Sequence, residues 1–176
     1  EAEIKRWLEQ SLPSPHDETL KEARFALTED DTETAAQKAG IVLDAEPDNN
    51  EARVILAEAQ LRNDAAAALK TLEPILQGHA QFDRAETLRQ FAKLAAPDES
   101  TLPEGDLKTQ YLAGARALQQ TDYAAAFEAF IGVLEKDRDY ANGAAKNACK
   151  TIIQYLGIRH PITEEYYRAY TSLVNA

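Results

Sequence analysis

The sequence predicts an all-α chain of antiparallel helix hairpins, about ten helices wound into a right-handed superhelix. Three observations carry this expectation. Of 176 residues 32 are alanine, while Gly and Pro number seven each and fall between runs of Ala, Leu, Glu, Lys and Gln, the strongest helix formers. No alternation of Val, Ile and Thr persists long enough for a strand. Finally, Leu20, Ala23 and Leu27 recur as Val54, Ala57 and Leu61 at a constant offset of 34 residues.

The punctuation divides the chain in order. Residues 1–12 place Ile4, Trp7, Leu8 and Leu12 at helical spacing and stop at Pro13-Ser14-Pro15. Ser14 as a cap, with Pro15, Asp17 and Glu18 in the first turn, opens a second helix through Leu20, Ala23, Phe25, Ala26 and Leu27. After the polar break at 28–31 comes a partner helix carrying Ala35, Ala39, Val42 and Leu43, which ends before Pro47. Two helices joined by a short polar turn form an αα-hairpin. The copy that follows continues past Asn63-Asp64 with Ala68, Leu72 and Ile75, one residue out of step, so its turn is short by one. A further helix over 81–95 carries Phe82, Leu88, Phe91 and Leu94. Residues 97–105 read as the one linker-like loop within the chain.

The clearest repeat spans 106–140. Tyr111, Gly114 and Leu118 lie on its first helix, Thr121-Asp122-Tyr123 forms the turn, and Ala126, Phe130, Val133 and Leu134 line its second. Gly114 and Ala126 let two backbones approach while Phe130 fills the space beside them. This pattern, with its 34-residue period, resembles the tetratricopeptide repeat (TPR), although Arg138 stands where the repeat usually closes on Pro. Residues 141–176 then read as a helix with Ala144, Ala148, Ile152 and Tyr155, a break at Gly157, and a final helix. That last helix is expected to start near Thr163 as its cap, with Glu164 and Glu165 in the first turn and Tyr166, Tyr170 and Leu173 on one face.

Beginning and end together are more specific. The run from Ile4 to Pro15, the Leu134-Glu135-Lys136-Asp137-Arg138 run with its following Asn142-Gly143-Ala144, and the closing Gly157, His160-Pro161 and Glu165-Tyr166-Tyr167-Arg168 resemble the C-terminal TPR region of thioredoxin-like co-chaperones, the chaperedoxins. The resemblance implies that residues 1–14 are a helix linking a preceding thioredoxin-like domain to the repeats. It further implies that the repeats bind unfolded client proteins, a GroEL-like chaperonin, or both, and hand clients over. With no Cys-x-x-Cys in the sequence, redox activity has no residue here to rest on. A TPR scaffold that assembles some other complex is the alternative.

Charge and chemistry narrow the field. With 19 Lys and Arg against 30 Asp and Glu, the net charge of −11 argues against nucleic acid and anionic membranes as partners. No apolar run reaches membrane-span length, and the single cysteine, Cys149, allows neither an internal disulfide nor a thiolate metal cage. A reducing cytoplasm is the expected setting. His16, His79 and His160 are scattered among turns without a companion nucleophile, and the acidic stretches lack the order of a calcium loop. No enzyme activity, metal or cofactor is expected. Cys149, at helical spacing from Ala145 and Ile152, reads as a small core residue, with a low-pKa redox thiol as the competing reading.

Three surfaces remain as candidates. The first helices of a repeat array line its inner face, which puts Leu20, Arg24, Leu27, Val54, Glu58, Leu61, Arg62, Tyr111, Leu118 and Gln119 in a protein-binding groove. Without the Lys, Asn and Arg set that clamps a chain-terminal carboxylate, this groove is expected to take apolar segments. The helix pair over 141–176 is expected to cap the array, and its final helix offers Tyr166, Tyr167, Tyr170, Leu173 and Val174, in excess of what one buried face needs, for a partner contact on the remaining face. Trp7 and Leu8 form a third patch, expected to contact a thioredoxin-like domain or to pack on the first repeat.

Overall fold

The computed structural model describes residues 16–175 and is all-helical over them. In chain order the helices are α1 (Asp17–Thr28), α2 (Thr32–Ala45), α3 (Asn50–Gln60), α4 (Ala65–Leu72), α5 (Phe82–Ala95), α6 (Asp106–Gln119), α7 (Tyr123–Lys136), α8 (Tyr140–Leu156) and α9 (Pro161–Asn175). The expected helix at 1–12, its link at 1–14 and the cap at Ser14 lie outside the described residues. Helix α1 starts at Asp17, and the Leu20 amide bonds to the His16 carbonyl. Consecutive helices pack as hairpins. In addition α1 touches α3 and α3 touches α5, while α2 and α4 make no comparable contact. The array therefore curves with its first helices inside, as a TPR-like superhelix does.

The turns explain the 34-residue rhythm and its one slip. After α1, Asp30 takes a left-handed φ of 66°, its amide bonds to the Leu27 carbonyl, and the Asp31 amide reaches back to the Ala26 carbonyl. After α6 the same happens at Thr121 (φ 58°) and Asp122, which bond to Leu118 and Ala117. This is the six-to-one and five-to-two closure that satisfies the last helical carbonyls. In both turns the second aspartate also caps the next helix, Asp31 accepting from the Thr34 amide and Asp122 from the Ala125 amide. Between α3 and α4 the left-handed residue is missing. Asp64 bonds to the Gln60 carbonyl and caps α4 through the Ala67 amide, one residue earlier in the cycle.

Burial follows the repeat. Ala23, Ala35, Ala39, Val42 and Ala52 are fully enclosed between α1, α2 and α3, where small side chains let the backbones come close. Downstream the core is aromatic, with Phe127 and Phe130 fully buried. Helix α5 packs more closely on α8 than on α6, the helix that follows it. It lies on α4 and, from the other side, on α8, so a helix that starts 58 residues later fills the place of its hairpin mate. Arg89 of α5 donates to the carbonyls of Leu72 (2.6 Å) and Ile75 (2.7 Å), tying α5 to the end of α4.

Two expectations are corrected. The loop at 97–105 is anchored: Leu102 is buried in the core and the Tyr140 hydroxyl donates to the Pro103 carbonyl at 2.9 Å. Helix α9 begins at Pro161, whose missing N–H costs nothing at a first helical position. Thr163 is thus inside the first turn and wholly buried, so it cannot be the cap. At the start of α8, Ala141, Asn142 and Gly143 all adopt left-handed φ, which sets the direction of the helix proper.

Candidate functional site

The inner face departs from an apolar groove. Leu20, Val54, Leu61, Tyr111 and Leu118 are each 9% exposed or less and belong to the core. Leu27 is half-buried against it. A first helix in a stacked array touches its own hairpin mate and both neighbouring hairpins, so most of its circumference is packed. Tyr111 meets Phe130 edge-on at 5.0 Å, and burial pushes its hydroxyl up to about 12. Gln119 is exposed, but its amide donates to the Ala95 carbonyl at the end of α5 (2.6 Å).

What faces inward is charge, already paired. Arg24 of α1 meets Glu51 of α3, and Glu58 of α3 meets Arg84 of α5 at 2.5 Å. Arg62, just past α3, reaches Asp30 in the first turn. Arg84 is the hub, since its guanidinium also lies 5.1 Å above the Tyr155 ring and donates to the Tyr155 carbonyl at 3.0 Å. Beneath it Phe91 stacks on Tyr155 at 4.1 Å, and Tyr123 stands 6.1 Å from Tyr155. Burial first, then the Glu58 charge, holds the Tyr155 hydroxyl far above its usual range. A cleft of about 740 Å³ opens beside this hub, between the loop at 77–81 and the start of α5.

Glu51, Arg84, Phe91, Tyr123 and Tyr155 were not read from the sequence as parts of one surface. A signal for the charges exists. Arg24 to Glu51 spans 27 residues and Glu58 to Arg84 spans 26, the same pairing with its sign reversed and its spacing shortened by the one-residue slip at Asp64.

On α9 the aromatic set divides. Tyr166 stacks on Phe127 at 5.3 Å and donates to Glu128 at 2.9 Å; burial, then that bond, pushes its hydroxyl up to about 12. Tyr170 and Leu173 also pack partly on the core. Tyr167 is 39% exposed and points outward with Arg168, while Val174 borders a small cleft of about 180 Å³ with Arg138 and Lys146. Trp7 and Leu8 lie outside the described residues.

Cys149 is fully buried, and burial pushes its thiol up to about 12, opposite to the shift an active thiolate needs. Among the described residues no group of three or more His, Cys, Asp or Glu converges as metal ligands would. Nor is any helix there long and apolar enough to cross a membrane.

Comparison with known families gives one match. Residues 98–174, covering α6 to α9 and the loop before them, match the tetratricopeptide repeat family and support a TPR domain. No curated protein matches the chain. Helices α1 and α2 lie outside that match, yet their connecting turn is built as the α6–α7 turn within it is, by the same left-handed residue and the same double-duty aspartate. TPR domains in general bind protein partners.

Proposed function

We propose that this chain is the protein-interaction arm of a thioredoxin-like co-chaperone, binding unfolded clients or a GroEL-like chaperonin for hand-over in the cytoplasm, with residues 1–14 as the link to a thioredoxin-like domain. The observation that supports a binding role is the surface of α9: Tyr167 stands exposed beside Arg168, on a helix already held in place by Tyr166, Tyr170 and Leu173. A rigidly mounted Tyr next to an Arg is the side-chain pair that interfaces favour. The co-chaperone reading itself rests on the sequence resemblance. Co-purification with a chaperonin tests it: Tyr167→Ala should weaken capture while leaving helicity intact, and equal capture by both proteins removes α9 from the reading.

A plain scaffold TPR is the second reading, favoured by the inner face. Paired charges and buried leucines leave little apolar surface there for an unfolded chain. Suppression of a model substrate's aggregation separates the two. A co-chaperone arm slows aggregation; a scaffold leaves its rate unchanged.

A further inference from the structure

The acids that outnumber the bases are unevenly placed. Residues 1–108 hold 23 Asp and Glu against 12 Lys and Arg, which is the whole net charge of −11, and residues 109–176 hold seven of each. Every ion pair among the described residues lies before residue 109. Helix α8 goes further, carrying Lys146 and Lys150 and no acid at all. Four residues apart, the two lysines share one face, an arrangement that repels and costs a helix stability. The opposite face, Ala145, Ala148, Cys149 and Ile152, is buried, so Lys146, Asn147 and Lys150 form an exposed ridge.

A small cleft flanks this ridge on each side. The one toward α9, about 180 Å³, has Leu134, Leu173 and Val174 as its apolar wall, with Arg138 and Lys146 beside them and Asp139 as its single acid. The one toward α5, about 170 Å³, is lined by Leu94 and Tyr111 with Asn147, Thr151 and Lys93, and by no acid. None of Lys93, Arg138, Lys146 and Lys150 pairs its side chain with another described residue. Three bases thus line the two clefts against one acid, in a chain with 19 bases and 30 acids. We propose that one short acidic segment of a partner protein lies across α8, its carboxylates on these cations and an apolar side chain in each cleft. A helix is about 10–12 Å across and an extended chain advances about 3.3 Å per residue, so the two apolar anchors stand three or four residues apart with the acids between them. A nucleic acid or an anionic membrane would spread its charge over residues 1–108 as well and meet their repulsion, whereas a short segment covers α8 alone. The proposal holds for a co-chaperone arm and for a scaffold alike, since neither reading uses α8.

The probe is a fluorescein-labelled synthetic peptide with both ends blocked, two leucines separated by three glutamates, and fluorescence anisotropy reads its binding to the full chain. Binding should saturate, weaken as salt rises, and vanish when the glutamates become glutamines or the leucines become serines. Lys146→Glu should weaken it at least about tenfold with far-UV circular dichroism unchanged, because Lys146 is exposed. Lys70→Glu, exposed on α4 outside both clefts, makes the same change in net charge and should leave binding as it was. The proposal is overturned by absence of saturable binding, by equal weakening in the two variants, or by undiminished binding of the serine peptide. Tighter, Lys146-dependent binding of a short DNA duplex or of phosphatidylserine vesicles also overturns it, as does a concentration-dependent dimer that Lys146→Glu disperses, since a second copy would then be the occupant. Chaperonin capture and peptide binding fail separately, because Tyr167→Ala leaves α8 unchanged and Lys146→Glu leaves Tyr167 in place.

Discussion

Gly114 of α6 lies directly against the ring of Phe130 of α7. A methyl group placed on Gly114 would stand 2.8 Å from two atoms of that ring, inside any real carbon contact. Phe130 cannot retreat, because it is fully buried with Tyr111 edge-on at 5.0 Å. Gly114→Ala should therefore destabilise: overpacking costs about 1–3 kcal/mol, more than the helix propensity of about 1 kcal/mol that alanine restores. Urea unfolding measures it, and adding Phe130→Leu should recover part of the loss. A Gly114→Ala protein as stable as the parent would mean that α6 and α7 sit farther apart.

Thr121 is strained where a glycine would not be. It holds a left-handed φ of 58° as a β-branched residue, in the position that closes the end of α6. The left-handed conformation costs an L-residue about 1–2 kcal/mol, against roughly 0.5–1 kcal/mol of extra chain entropy lost by glycine. Thr121→Gly should thus raise the thermal midpoint by about 2–4 °C for a chain of this size. A lowered midpoint would show that the threonine side chain contributes more than its backbone costs.

The turns were the most legible part of the sequence, because an aspartate cap and a fixed period are local signals. Asp31, Asp64 and Asp122 all cap as their positions in the repeat suggest, and even the one-residue slip has a structural counterpart. The inner face was less legible for a reason of geometry. Leu20, Val54 and Leu118 sit on helices surrounded on several sides, so spacing alone could not separate core from groove. The α5–α8 contact was illegible because it joins residues far apart in sequence, and Phe91 on Tyr155 leaves no periodic trace. The left-handed Ala141 likewise has no signature, since alanine ordinarily reads as helix.

Glu58 and Arg84 should be energetically coupled. Their 2.5 Å pair is more enclosed than the other inner-face pairs, with side chains 20% and 31% exposed, and Arg84 brings Tyr155 and its carbonyl into the same contact. A double-mutant cycle with Glu58→Ala and Arg84→Ala should give a coupling of about 1 kcal/mol, above the few tenths typical of open surface pairs. Arg24 with Glu51, whose arginine is 55% exposed, should couple less. Equal coupling in the two cycles would deny Arg84 its role as the hub.

Alkaline pH should unfold the chain through groups that the core keeps protonated. Burial raises Cys149 from 9.0 to about 12 and Tyr111 from 10.0 to about 12. The sign follows from which state loses its proton first. Below pH 9.0 both states hold the Cys149 proton and its contribution is fully present; above it the unfolded chain ionises while the folded one does not, and stability falls until about 12. Tyr111 adds the same slope from pH 10.0 upward. Cys149→Ala removes the earlier of the two slopes, so stability lost between pH 9 and pH 10 should be largely restored. Its fully buried site also loses a sulfur, which lowers stability by a constant amount at every pH. Urea midpoints taken at steps from pH 7 to pH 11 separate the constant offset from the slope. Parallel pH curves for the two proteins would rule out ionisation of Cys149 as a cause of alkaline unfolding.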